Sequence, residues 1–180
     1  DAQGTTVAVI DSGVNYLLPA IAHTLARDAE GQPLGFDFWD MDARPFDSHP
    51  ARSVFFPQRH GTRTASIIVR EAPDTRLVPY RYPRGDMTRM RELIDHAANA
   101  GVRIVNVSLG SNKREQWTTF EQIAGQHGNM LFLVSAGNNG RDIDSQPVYP
   151  ASLNLNNMLT VTSADEDGYP ATGSNWGQGS

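Results

Sequence analysis

An apolar run ends at a carboxylate in the segment Val7-Ala8-Val9-Ile10-Asp11-Ser12-Gly13-Val14. Runs of this kind recur at Thr5–Ile10, Leu77–Val78, Arg103–Leu109, Met130–Val134 and Met158–Thr162. They are continuous more than alternating, which is typical of parallel strands covered on both faces. The sequence therefore predicts a parallel sheet.

Segments with helical periodicity lie between these runs. The clearest is an apolar stripe from Met87 to Ala98, and a second runs from Trp117 to His127. Alternating strands and helices predict an α/β fold, a mostly parallel open sheet with helices on both faces. Because parallel strands end at one edge of such a sheet, we expect Asp11, Ser108 and Asn138 to gather there.

Composition limits the classes of function. With 180 residues and 39% apolar residues, residues 1–180 are expected to form one domain. The net charge of −5 argues against nucleic-acid binding. The apolar runs are shorter than the roughly 20 residues that cross a bilayer, so no membrane partner is expected. Without cysteine, the chain has neither disulfides nor a thiolate metal site.

Asp11 is a candidate acid. His60 is a candidate base, and it begins the segment His60-Gly61-Thr62-Arg63-Thr64-Ala65-Ser66. A carboxylate at the end of a buried strand can orient an imidazole by accepting its Nδ1 proton. His60 precedes a predicted helix, whose N-terminal N–H groups favour the neutral ring. Each segment has a structural alternative, because Asp-Ser-Gly also forms turns and a histidine can simply cap a helix.

Two further segments suggest substrate contacts. Asn138 follows a buried strand and two small residues, so its amide can donate to oxygen charge in a tetrahedral intermediate. Asn138-Asn139-Gly140 is equally a good turn sequence. In Ser108-Leu109-Gly110 a strand ends at glycine, and an extended peptide can pair with such a backbone as an added strand.

Taken together, the four segments have the order and neighbours found in the subtilisin-like serine peptidases, and the chain resembles that family from about Thr5 to Gly177. The resemblance implies a subtilisin-like fold with Asp11 as the triad acid, His60 as the general base and Asn138 as the oxyanion donor. It also implies five substrate-binding residues: Ser108, Leu109, Gly110, Ala136 and Gly137.

The family's nucleophilic serine is the missing element. It stands in a Gly-Thr-Ser segment near the C-terminal end of the domain, and no such segment occurs before Ser180. We therefore expect a C-terminally incomplete serine endopeptidase domain that is inactive as this chain. The alternative is a non-catalytic pseudopeptidase that binds peptides or a partner. By resemblance, the partners would be a polypeptide substrate and its own propeptide, and the location secreted or periplasmic.

A metal site is a separate prediction. Four acids crowd the proline-rich loop before His60: Asp37, Asp40, Asp42 and Asp47. Oxygen ligands on such a loop suit Ca²⁺, and relatives place calcium in the corresponding loop. Clustered loop acids are also often simply solvated, so both interpretations stay open.

Two rival classes of α/β protein lack their signatures. A nucleotide-binding domain needs Gly-x-Gly-x-x-Gly after its first strand or a Gly-Lys-Ser/Thr segment, and neither is present. An α/β-hydrolase needs Gly-x-Ser-x-Gly, but Leu133 occupies the first glycine position before Ser135.

Overall fold

The computed structural model of the protein describes residues 4–48 and 59–178. Within them, parallel strands form one open sheet in the order β2-β3-β1-β4-β5-β6. The strands are β1 Thr6–Asp11, β2 Phe36–Asp37, β3 Arg76–Arg81, β4 Ile104–Val107, β5 Leu131–Ser135 and β6 Met158–Val161. The parallel sheet predicted from the apolar runs is confirmed.

Helices connect the strands and cover the sheet. They are α1 Pro19–Ala22, α2 His60–Glu71, α3 Met90–Asn99 and α4 Thr118–Gln126. Short 3₁₀ turns at Met87–Arg89 and Arg114–Trp117 lead into α3 and α4, so both predicted periodic segments start with a tighter turn. No helix among the described residues combines the length and apolarity needed to cross a membrane.

The two faces of the sheet are covered differently. On one face, α3 and α4 pack on alternate strand residues and form the larger core, with Leu93, Phe120 and Phe132 fully buried. On the other face, α2 packs through Ala65 on Val7 of β1 in a smaller core. Helices therefore lie on both faces, as predicted, but the second layer is less extensive.

The proline-rich segment Gly31–Gln58 before His60 contains β2, which the sequence did not indicate. This strand has only two residues, too few to show a periodic pattern, and it pairs with β3 at the edge of the sheet. Residues 49–58 of this segment, including His49, lie outside the described residues.

Candidate active site

The carboxylate of Asp11 and the imidazole of His60 are in contact. Asp11 is the last residue of β1, and His60 is the first residue of α2. Nδ1 of His60 lies 2.7 Å and 2.9 Å from the two carboxylate oxygens. The Asp11 side chain is 2% exposed and that of His60 is 50% exposed. A buried acceptor facing Nδ1 assigns the ring proton to that nitrogen, which leaves Nε2 as a proton acceptor at the surface.

The close approach of α2 to the end of β1 depends on glycine. A Cβ added to Gly61 would lie 2.1 Å from the carbonyl oxygen of Gly13 and 3.1 Å from Cβ of Asp11. Only a residue without a side chain allows the first turn of α2 to sit there. The His-Gly pair thus places the imidazole against the carboxylate.

Asp47, in the loop before α2, also holds the start of α2 against the end of β1. Its carboxylate is fully buried and accepts hydrogen bonds from Ser12 Oγ (2.8 Å) and Thr62 Oγ1 (2.6 Å). It also accepts the Thr62 backbone N–H (3.1 Å), while Ser12 Oγ accepts the N–H of Gly61 (2.9 Å). A negative charge beside the first N–H groups of a helix is stabilising. Asp47 therefore positions the start of α2, and its role as a calcium ligand stays a prediction.

The other three acids of the predicted calcium site, Asp37, Asp40 and Asp42, have partners within the chain. Arg81 Nη1 donates to Asp37 (2.8 Å) and Asp40 (2.7 Å), so a guanidinium supplies the positive charge between them. Asp42 pairs with Arg44 at 2.9 Å, and the Arg44 backbone N–H lowers the pKa of the Asp42 carboxyl below its usual value. The described residues contain no group of three or more metal-ligating side chains.

Asn138 lies in the loop after β5 and is exposed. Its side-chain amide has no hydrogen-bond partner among the described residues, so it is free to donate to a ligand.

A buried residue that the sequence did not single out holds this loop. Oδ1 of Asn175 accepts the backbone N–H groups of Asn139 (3.0 Å) and Arg141 (3.1 Å), and its Nδ2 donates to the Ala136 carbonyl (2.7 Å). Asn175 is fully buried and stands 37 positions after Asn138 in the chain, so no local pattern indicates its role.

The segment Ser108-Leu109-Gly110 follows β4 at the same edge of the sheet. The backbone groups of Leu109 and Gly110 have no hydrogen-bond partner among residues 4–48 and 59–178. The next residue is fixed, because Ser111 and Tyr149 exchange backbone hydrogen bonds of 2.9 Å and 2.8 Å. A rigid backbone with unpaired groups is what an added peptide strand requires.

Two open pockets flank this segment, with volumes of about 310 and 280 Å³. Four residues line both of them: Ser108, Ser135, Gly137 and Asn138. Leu109 and Gly110 line only the smaller pocket. Ala136 is 2% exposed and is not among the described residues that line either pocket, and its carbonyl accepts the hydrogen bond from Asn175.

β4 separates β1 from β5 in the sheet. With neighbouring strands about 4.8 Å apart, the strand ends that carry Asp11 and lead to Asn138 are roughly 10 Å apart. The acid–base pair and the loop that carries Asn138 therefore lie at the same carboxyl edge of the sheet.

The sequence model of the subtilase family matches residues 2–180. The chain belongs to the subtilase family.

Curated relatives match this subtilase at low identity. It is 28% identical over 98% of its length to the thermophilic serine proteinase of Bacillus sp. (strain AK1), and 22% identical over 98% to thermitase of Thermoactinomyces vulgaris. The chain spans 42% and 61% of the lengths of these two relatives.

Solved structures support the fold of this subtilase. The nisin leader peptidase NisP from Lactococcus lactis superposes with a TM-score of 0.70 at 18% identity, over 98% of this chain and 60% of NisP. The PatG macrocyclase in complex with peptide gives a TM-score of 0.59 at 18% identity, over 96% of this chain and 61% of that chain.

No serine of the described part of this subtilase hydrogen-bonds to His60. Ser12 and Ser66 are the serines flanking the acid–base pair in sequence, and their hydroxyls donate to Asp47 and to the Thr62 carbonyl. The structure thus brings together the acid and the base, and it places the free amide across the same edge.

Proposed function

We propose that this subtilase chain is the acid–base and oxyanion portion of a serine endopeptidase, whose nucleophilic serine lies outside residues 1–180. The observation that carries the proposal is the contact between the buried Asp11 carboxylate and Nδ1 of the half-exposed His60. This arrangement leaves Nε2 available to accept a proton from a hydroxyl.

The proposed reaction is acyl transfer from a peptide bond. Nε2 of His60 takes the proton of the serine hydroxyl as that oxygen attacks the carbonyl carbon, and later gives the proton to the leaving amine. Asp11 holds the ring and stabilises the imidazolium. The Asn138 amide donates to the carbonyl oxygen as it becomes negative. The backbone of Leu109 and Gly110 pairs with the extended substrate.

An uncovered part of the sheet is evidence that a further segment of the protein packs there. On the α2 side of β6, Leu159 is 55% and Val161 53% exposed. Leu133 of β5 pairs in register with Leu159 and lines an open groove of about 410 Å³ beside Ile68 of α2. Apolar strand residues of this kind are normally covered by another layer. We propose that the segment carrying the serine packs on this face.

By this proposal residues 1–180 belong to a single peptidase domain and are inactive alone, and the full-length protein acts on polypeptides. Its own propeptide is a proposed partner, since the structural neighbour MycP1 was solved with its N-terminal propeptide removed. We propose a secreted or periplasmic location. A supporting relative, 25% identical over 97% of this chain and 19% of its own length, is the cell wall-associated protease of Bacillus subtilis.

Hydrolysis of casein by the full-length protein, with and without a serine-directed sulfonyl fluoride, tests this function. We expect the full-length protein to hydrolyse casein. We expect hydrolysis to stop when one sulfonyl group is bound per protein molecule. A folded full-length protein that leaves casein intact but binds unstructured peptides would instead establish the pseudopeptidase alternative.

A further inference from the structure

We propose that Arg84 makes the 280 Å³ pocket beside Ser108-Leu109-Gly110 selective for peptides with an acidic side chain on the acyl side of the scissile bond. The inference rests on the proposed function, because it names the substrate class of the same site.

Arg84 reaches the site from the loop after β3. That strand ends at Arg81, and the loop turns at Gly85, which has a φ of +93°. The loop extends over the carboxyl edge of the sheet, because Arg84 lines the same pocket as Gly110 and Asn138. The β3–α3 connection thus contributes to a pocket otherwise built by residues that follow β4 and β5.

Among the described residues that line this pocket, Arg84 is the one with a charged side chain. The remaining lining is small, amide-bearing or apolar: Ser108, Leu109, Gly110, Ser111, Asn112, Ser135, Gly137, Asn138, Asn139 and Val148. The described lining residues of the adjoining 310 Å³ pocket are all uncharged. Within the described lining of the two pockets, the one charge is therefore positive.

The guanidinium of Arg84 is available to a ligand. Arg84 is exposed, and it has no ion pair or hydrogen bond within the described part of the chain. Asp86, the acid nearest to it in sequence, instead accepts the N–H and the hydroxyl of Thr88. By contrast, Arg81 and Arg89 are each paired with carboxylates.

The pocket's position identifies which substrate side chain it receives. Asn138 is placed to hold the oxygen of the reacting carbonyl, and the edge at Leu109 and Gly110 is placed to pair with the residues that precede it. A pocket lined by both receives the side chain of the residue that bears that carbonyl. A guanidinium recognises a carboxylate there through two parallel N–H···O bonds, and it repels lysine or arginine.

The test measures kcat/KM of the full-length protein on three matched peptides with Glu, Gln or Lys before the scissile bond. A hydrogen-bonded charge pair corresponds to about a 10- to 100-fold preference for Glu over Gln. Arg84→Gln should remove this preference and Arg84→Glu should reverse it towards Lys. The matched control Arg91→Gln, at an exposed position of α3 outside the pocket, should leave it intact.

A wild-type protein that cleaves the Gln peptide as well as the Glu peptide overturns the inference, as does an Arg84→Gln variant that keeps the preference. If the wild type cleaves none of the peptides, the proposed function fails instead. Fluorescence anisotropy of the same peptides then decides the role of Arg84, with tighter binding of Glu than Gln expected only when Arg84 is present.

Discussion

The corner that holds Asp11 and His60 and the edge formed by Leu109, Gly110 and Asn138 lie at the same end of the sheet but differ in how their polar groups are satisfied. In the corner, the carboxylates of Asp11 and Asp47 are buried and hydrogen-bonded within the chain. Along the edge, backbone groups and an amide have no partner among the described residues.

By the proposed function, this difference distinguishes groups that position other protein groups from groups that contact the substrate. An acid that orients a base works only in one fixed geometry, so it is built into the fold. A donor that must reach a developing oxyanion cannot be occupied beforehand, but the backbone carrying it must be rigid. Asn175 provides that rigidity by bonding on both sides of Asn138.

The largest effect is expected at the corner. In the full-length protein, His60→Ala should lower kcat for peptide hydrolysis by about 10⁶-fold, because no other group can take the serine proton. Circular dichroism should be unchanged, and His23→Ala, at an exposed histidine, should keep full activity. Retention of more than roughly 1% of kcat by the His60 variant would refute the assignment of the base.

The edge should show a smaller, purely kinetic effect. Asn138→Ala should lower kcat by about 10²- to 10³-fold at unchanged KM, since the amide contacts the oxyanion and not the ground-state substrate. Steady-state kinetics of this variant are compared with those of the control Asn154→Ala, which changes an exposed asparagine elsewhere. A rise in KM at constant kcat would show that Asn138 contributes only to binding.

The uncovered sheet face gives a stability test of the proposed additional layer. In the full-length protein, Leu159→Ala should lower the free energy of unfolding by about 2–4 kcal/mol, as for a buried leucine. Leu17→Ala, at a leucine that is 73% exposed, should change it by less than about 0.5 kcal/mol. Equal, small effects at both positions in urea unfolding would mean that nothing covers Leu159.

The smallest effect concerns how α2 approaches β1. Gly61→Ala should destabilise the full-length protein by about 1–3 kcal/mol, because the new methyl group meets the backbone of Gly13. Gly125→Ala in α4 is the matched control. Its Cβ would lie 3.7 Å from Leu155 Cδ2, an ordinary contact, so helix propensity should raise stability by up to about 1 kcal/mol. Equal effects from the two substitutions would contradict the close-approach argument.

The sheet and the acid–base pair were predictable because their signals are local. Continuous apolar runs marked β1, β3, β4, β5 and β6, and Asp11 and His60 each stand at an element boundary that the sequence shows. The resemblance to the subtilisin-like peptidases also predicts that Asp11 and His60 act together.

The partners of the loop acids could not be predicted, because they depend on contacts distant in sequence. Asp47 and Asp37 were grouped as calcium ligands on proximity along the chain, yet each bonds to groups brought to it by another element. For the same reason, the contacts of Asn175 and the proposed role of Arg84 could not be predicted. Both depend on where their loops cross the carboxyl edge of the sheet.

The most direct measurement is labelling of the full-length protein with a fluorophosphonate, followed by mass spectrometry to identify the modified residue. The account predicts one labelled serine, located beyond Ser180, with labelling lost in the His60→Ala variant. Modification of any serine within residues 1–180, or a folded full-length protein that takes up no label, would contradict it.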